Sequence, residues 1–403
     1  MLPPPPPRNT RTCPSPAADR PTLPMPPAAP SPDPYRDWAD LPELPLAEVL
    51  RRLLPCIRSL YAFAGTCRPW RHLLRASAAD LIRPRIPPLL LLCPDFRLVP
   101  FSPLVVPQSL SYPIPAPAEG ATLLSASRGH LILLRRGSFN SLHLVDALTG
   151  AERRALQLPS PHFPYHYAAL TPSHLLLFHS MHAFFSLPFP EHPSPNNNNA
   201  RPDWTKHALP RAASIVTTVI EFRGRVLGLT DRAQILEFHL GGAPSNQAAR
   251  LLPTTGLPDA TRFDRLQFGP HLVAAGDRLL LVLFMFEANL APLVFRAPRV
   301  NKIGVYALDW ARMIWEEVDN IGAYTLFVDI AGRSTVACVD VGNCGVEENR
   351  VYVGVPNSRA WRRPLPPGWE ASPNVEGLGL NSRETMACRP LASPISVHPR
   401  LFF

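Results

Sequence analysis

A small all-α module followed by an all-β propeller of about six four-stranded antiparallel blades is the fold class this sequence predicts. Three observations predict it. A proline-rich leader lacks any apolar period, a short stretch of helical periodicity follows it, and a strand-pair pattern then returns every roughly 50 residues. A chain of 403 residues exceeds one ordinary domain, so a multidomain organisation is the starting expectation.

Residues 1–34 carry fourteen prolines. Proline fixes φ and lacks an amide donor, so neither helix nor sheet ladder forms there, and a disordered tail is expected. Residues 35–84 read as a helical module. Leu46, Val49, Leu50, Leu53 and Leu54 fall at i, i+3, i+4, i+7 and i+8, the stripe of an amphipathic helix closed by Pro55. A second helix is expected from about Ser59 to Gly65, and a third from Pro69 fading toward Pro84. A unit this small is marginal alone, so it is expected to pack on a partner or on the rest of the chain.

Residues 85–390 change character: short apolar runs alternate with turn residues. Gly129–Leu134 pairs with Leu142–Asp146, Ser173–Phe178 with Ala183–Leu187, Gly224–Leu229 with Gln234–Phe238, and Gly276–Val282 with Ile303–Asp309. Asn349–Val353 opens a fifth unit. A pair of β-sandwiches is the alternative architecture for the same strands. The Pro/Asn stretch Pro190–Asn199 reads as an inserted loop, and residues 391–403 as a tail.

Composition excludes several functions. Forty basic against thirty-one acidic residues give +9, yet only Lys206 and Lys302 are lysines and no arginine run exceeds a pair. A nucleic-acid partner is therefore not expected. An apolar content of 46% argues against wholesale disorder. Cysteines 13, 56, 67, 93, 338, 344 and 388 are too dispersed for a disulfide framework or zinc quartet and read as reduced thiols. The amino end lacks an apolar leader core, and Leu89–Cys93 and Leu279–Phe286 are too short to cross a bilayer. No membrane partner is expected, and residence in cytoplasm, nucleus or both is.

No nucleophile elbow, phosphate loop, zinc-helix or dinucleotide fingerprint appears, so neither catalysis nor a cofactor is expected. His162, His166, His174, His179, His182 and His192 crowd together, but alternation on strands turns His179 and His182 apart, so no metal is expected. Asp309, Glu316 and Glu317 fit a turn and a solvent face better than a pair of catalytic carboxylates, and Asp146 and Asp231 also suit turns.

Residues 38–71 hold Leu41-Pro42, Glu48-Val49-Leu50, Leu53 and Cys67-Arg68-Pro69-Trp70-Arg71. In order and spacing this resembles the F-box. Pro45 departs from the family pattern, standing where leucine is usual with Leu44 one position earlier, which puts the start of the first helix in question. Farther on, Val305-Tyr306-Ala307-Leu308-Asp309, Trp315-Glu316-Glu317-Val318, Ile321-Gly322 and Tyr324-Thr325-Leu326-Phe327-Val328 precede Asn349-Arg350-Val351-Tyr352-Val353. That order resembles the KIB-type β-propeller found in many plant F-box proteins.

The combined resemblance implies the substrate-recognition subunit of an SCF-type ubiquitin ligase. The F-box would dock on a Skp-type adaptor and through it a cullin scaffold, while the propeller presents an unknown protein target; the contribution is proximity, not chemistry. Adaptor contact is expected from Leu41, Pro42, Val49, Leu50, Leu53, Leu60, Cys67 and Trp70, some of which also serve the module's own core. Arg68 and Arg71 would face an acidic adaptor or water. Two alternatives stay open: a non-ligase interaction scaffold with an F-box degraded by Pro45, and an enzyme working in the propeller channel.

Overall fold

Three helices open the described chain. The computed structural model describes residues 41–354, interrupted at 55–56, 78–81, 93–96, 100–111, 114–120, 137–139, 162, 180, 190–201, 241–247, 266–267, 287–299, 331–332 and 343–345, together with 389–390 and 395–397. The expected leader at 1–34, the Pro190–Asn199 loop and Cys13, Cys56, Cys93, Cys344 and Cys388 lie outside the described residues.

Helix α1 spans Glu43–Leu53, with Pro42 at its N-cap. Pro45 is thus the third helical residue, inside the turn whose amides have no intrahelical acceptor, so its missing donor costs little. Arg51 and Arg52 fill the last turn, favoured by the helix dipole, and both pair with Glu48. Helix α2 runs over Ile57–Thr66 and α3 over Arg68–Ser77, each beginning slightly before the expected start. Leu46, Leu50, Leu60, Phe63, Leu73 and Leu74 join Ile82 and Ile86 in one core. Those last two residues flank a 3-10 turn at Arg83–Arg85 that ties the module to the β body. The Val339 amide donates to the Pro84 carbonyl at 2.6 Å, and Arg85 pairs with Asp340 at 3.1 Å.

Among the described residues, six sheets follow the helices. Blade I comprises Ala121–Ser127, His130–Arg135, Ser141–Asp146 and Glu152–Gln157, with Arg389–Pro390 added along its first strand. Blade II comprises Tyr167–Leu170, His174–Phe178, Ala183–Pro188 and Thr205–Ala208. Blade III comprises Val216–Phe222, Arg225–Thr230, Ile235–Phe238 and Ala249–Leu251; blade IV comprises His271–Ala275, Arg278–Phe286, Val300–Asp309 and Ile314–Glu317. Blade V is the three-stranded sheet of Ser334–Cys338, Thr325–Asp329 and Arg350–Gly354. A flanking sheet joins Leu89–Leu92, Arg97–Val99 and Tyr112–Pro113 to Ile395–Val397, which lies in the stretch expected as a tail.

The first strands of blades I to IV and Ser334–Cys338 of blade V touch in succession, and the last touches blade I again. They enclose a central cavity of about 830 Å³. The second and third strands of each blade are buried on both faces because neighbouring blades cover them. Ile132, Leu134, Leu142 and Leu144 of blade I, for instance, pack against Leu170, Leu175, Leu177 and Phe185 of blade II. The described chain is a β-propeller.

Two details correct the expected architecture of about six four-stranded antiparallel blades. Among the described residues, five sheets carry four or more strands, the inner-strand ring numbers five, and blade V shows three strands. Dividing chain length by a standard blade overcounts where repeats are spaced more widely than one blade, as between Gly276 and Asn349. Arg350–Gly354 also runs parallel to Thr325–Asp329. A parallel neighbour needs a crossover of about a dozen residues or more, and the chain between Asp329 and Arg350, which includes Ser334–Cys338, supplies one. Among the described residues, no helix is long and apolar enough to cross a membrane.

Candidate functional site

Two surfaces offer themselves, one on the helical module and one at the mouth of the central cavity. On the module, the eight residues expected at the adaptor contact divide by depth. Leu50 and Leu60 are wholly buried and hold the three helices together. Leu41, Leu53 and Trp70 are half-buried against that core, and Cys67 is half-buried beside it. Trp70 stacks on Phe63 with ring centroids 4.5 Å apart. Pro42 is exposed and Val49 is 39% exposed. Val49 and Leu53, four residues apart, share one side of α1.

Leu44, 84% exposed, and Tyr61, 38% exposed, were not among the expected residues. Leu44 had a signal: it falls off the α1 stripe, so no core position accounts for it. Around these apolar side chains the surface is basic. Arg51, Arg52, Arg68, Arg71 and Arg75 are exposed against Glu43 and Glu48. Arg71 also donates from Nε to the Ala64 carbonyl at 3.1 Å, which ties α3 back to α2.

The cavity is built by the hairpins that end the inner strands. Arg128-Gly129 and Arg223-Gly224 both have positive φ, 48° and 74° in the first and 50° and 71° in the second. Paired positive φ values are what a two-residue hairpin needs to match strand twist. These turns place Arg128 and Arg223 at the cavity lining, with Arg85 and Glu221. Arg128 pairs with Glu221 at 3.1 Å, bridging blades I and III. Arg223 donates to the Asp277 carbonyl of blade IV at 2.8 Å. At the other end of the inner strands, Arg333 of blade V sits 5.9 Å from the Tyr167 ring of blade II.

Two titrating groups near Arg333 are displaced. Burial first, and then the Arg333 charge, lower the His166 pKa to about 4, so its imidazole is neutral at neutral pH. Burial likewise pushes Tyr167 up to about 12 while its hydroxyl accepts the Val219 amide at 2.9 Å. Asp231, also buried, pairs with Arg265.

The other sequence-derived candidates stay apart from the cavity. Asp309 accepts the Ala311 and Arg312 amides in a turn, Glu316 pairs with Arg312, and Glu317 pairs with Lys302. Asp146 accepts the Leu148 and Thr149 amides in the same way. Among the described residues, no three His, Cys, Asp or Glu side chains gather to hold a metal.

Several solved structures are similar to this chain. BamB from Moraxella catarrhalis is 16% identical at a TM-score of 0.27, covering 60% of this chain and 57% of its own. Hsv2 of Kluyveromyces lactis is 7% identical at 0.26, covering 51% and 66%. The WD40 domain of Toxoplasma gondii coronin is 8% identical at 0.26, covering 53% and 67%. The chain thus spans less than two thirds of the first two, and no curated protein matches it. Residues 101–362, more than half of the sequence and all five blades of the ring, match the family described as the KIB1-4 beta-propeller, and the chain belongs to that family.

Proposed function

We propose that this protein is the substrate-recognition subunit of an SCF-type ubiquitin ligase. Its helical module docks on a Skp-type adaptor, and through it a cullin, while the propeller holds the target. The observation that carries this reading is the surplus of apolar surface on the module. With Leu46, Leu50, Leu60 and Leu74 already satisfying the core, Leu44 stands in solvent and Val49 is partly exposed on the same helix. Apolar side chains presented on short helices suit the helix-in-groove mode of recognition. Exposed arginines around them suit an acidic partner.

Pro45, the ground for reading the module as degenerate, lies in the first turn of α1 and leaves the helix intact. In this role the chain performs no chemistry of its own and works in the cytoplasm, the nucleus or both. The experiment is adaptor binding by the full chain, compared with a Leu41→Ala/Pro42→Ala variant and with Val49→Glu. Each is expected to weaken binding at least about tenfold, the scale of a contact residue, with the unfolding temperature unchanged in Val49→Glu, whose site is solvent-exposed. Undiminished binding in both variants overturns the docking surface.

A further inference from the structure

We infer that the cavity mouth at the carboxyl ends of the inner strands takes an acidic peptide segment, whose carboxylates replace Glu221 as partners of Arg128. The inference builds on the target-holding half of the proposed function and is independent of adaptor docking. Arg85, Arg128 and Arg223 line this end of the cavity, and Glu221 is the one carboxylate lining it among the described residues. Val339 and Asp340 follow the inner strand of blade V as Gly276 and Asp277 follow that of blade IV, so all three guanidinium groups stand on one rim.

The acids already present are placed as removable partners. The Arg128–Glu221 pair has side chains 31% and 44% exposed, and Arg85–Asp340 has 27% and 63%. Pairs this wet are weak, so an incoming carboxylate exchanges for Glu221 at little cost. Arg223 meets a backbone carbonyl, a neutral acceptor that a carboxylate outcompetes. Arg128 and Arg223 also occupy left-handed turn positions where asparagine or glycine is the ordinary choice. The same turn therefore delivers a guanidinium in two separate blades.

The wall between the arginines decides what kind of anion fits. Leu170, Pro172, Val219, Ile220 and Val226 line it as well. A polyphosphate has nothing to set against these carbon surfaces, whereas a peptide alternating acidic and apolar side chains matches both. The volume of about 830 Å³ admits several side chains rather than one small ion.

The test is fluorescence anisotropy with the full-length chain and a short labelled peptide of alternating glutamate and leucine. A peptide with glutamine in place of glutamate serves as the neutral control. The glutamate peptide is expected to bind, to weaken with added salt, and to lose at least about tenfold in affinity in Arg128→Glu/Arg223→Glu. Glu221→Gln, which releases Arg128, is expected to tighten binding roughly two- to five-fold. Arg211→Glu, an exposed arginine outside the cavity, is expected to change nothing.

Equal binding of the glutamine peptide, no binding of either, or an equal loss in Arg211→Glu overturns the inference. So does inositol hexakisphosphate binding more tightly than the peptide with the same arginine dependence. Adaptor binding measured on the same variants keeps the two proposals apart: Arg128→Glu/Arg223→Glu is expected to bind adaptor normally.

Discussion

Individual residues show most directly how backbone geometry constrains side-chain choice. Gly256 has φ of 90°, and a Cβ there would collide with the Trp315 carbonyl where the chain leaving blade III meets blade IV. Gly322 has φ of 72° with open space around it. Gly256→Ala is therefore expected to cost about 3 kcal/mol, conformational strain plus collision, and Gly322→Ala only about 1 kcal/mol. Denaturant unfolding of the two variants measures the difference; equal losses would refute the collision.

His166 supplies a pH dependence. Its folded pKa lies near 4 against an ordinary 6.5, so below the ordinary value the unfolded chain binds a proton that the folded chain refuses. Stability is unaffected above pH 6.5 and declines as pH falls toward 4. The decline is roughly 2 kcal/mol, discounted because the side chain keeps some contact with water. His166→Gln is expected to flatten that slope in unfolding curves across the same window. The turn role of Asp146 and Asp309 was legible from sequence because an Asx turn is local; the Asp231–Arg265 pair joins residues far apart in the chain and left no local trace.

Elements were legible in proportion to how completely they are covered. The second and third strands of the blades stood out as apolar runs because neighbouring blades bury both faces. His130–Arg135 and His174–Phe178 match the expected segments to within a residue or two. First strands such as Ala121–Ser127 and Val216–Phe222 face the cavity on one side, so they mix Thr and Ser with apolar residues and did not stand out. Outer strands such as Thr205–Ala208 are polar edges with no apolar run to mark them.

Helix α1 was visible from its stripe, but the stripe alone does not separate core from surface. Leu50→Ala is expected to cost about 3 kcal/mol, the usual scale for a fully buried leucine. Val49→Ala, at the solvent edge, is expected to stay within about 0.5 kcal/mol. Denaturant unfolding of the two variants distinguishes them, and equal losses would place Val49 in the core instead.

At the scale of the molecule, the two ends of the β body meet. Ile395–Val397 pairs with Leu89–Leu92, and Arg389–Pro390 pairs with the first strand of blade I. Deleting residues 395–403 strips one edge of Leu89–Leu92 and leaves its ladder groups open to another chain. The truncated protein is expected to unfold several degrees lower and to self-associate in light scattering, whereas an unchanged monomer would show that the pairing contributes nothing.

Periodicity and turn chemistry are written in neighbouring residues, so the sequence by itself determined that helices precede a bladed body, which strands are covered on both sides, and where hairpins fall. Ring size, the parallel third strand of blade V, the pairing of residue 397 with residue 89, and the gathering of Arg85, Arg128 and Arg223 on one rim were decided by the tertiary structure. Each of those depends on how the twist of successive sheets closes the ring and brings distant turns to one end, a sum over the whole chain that no local pattern records.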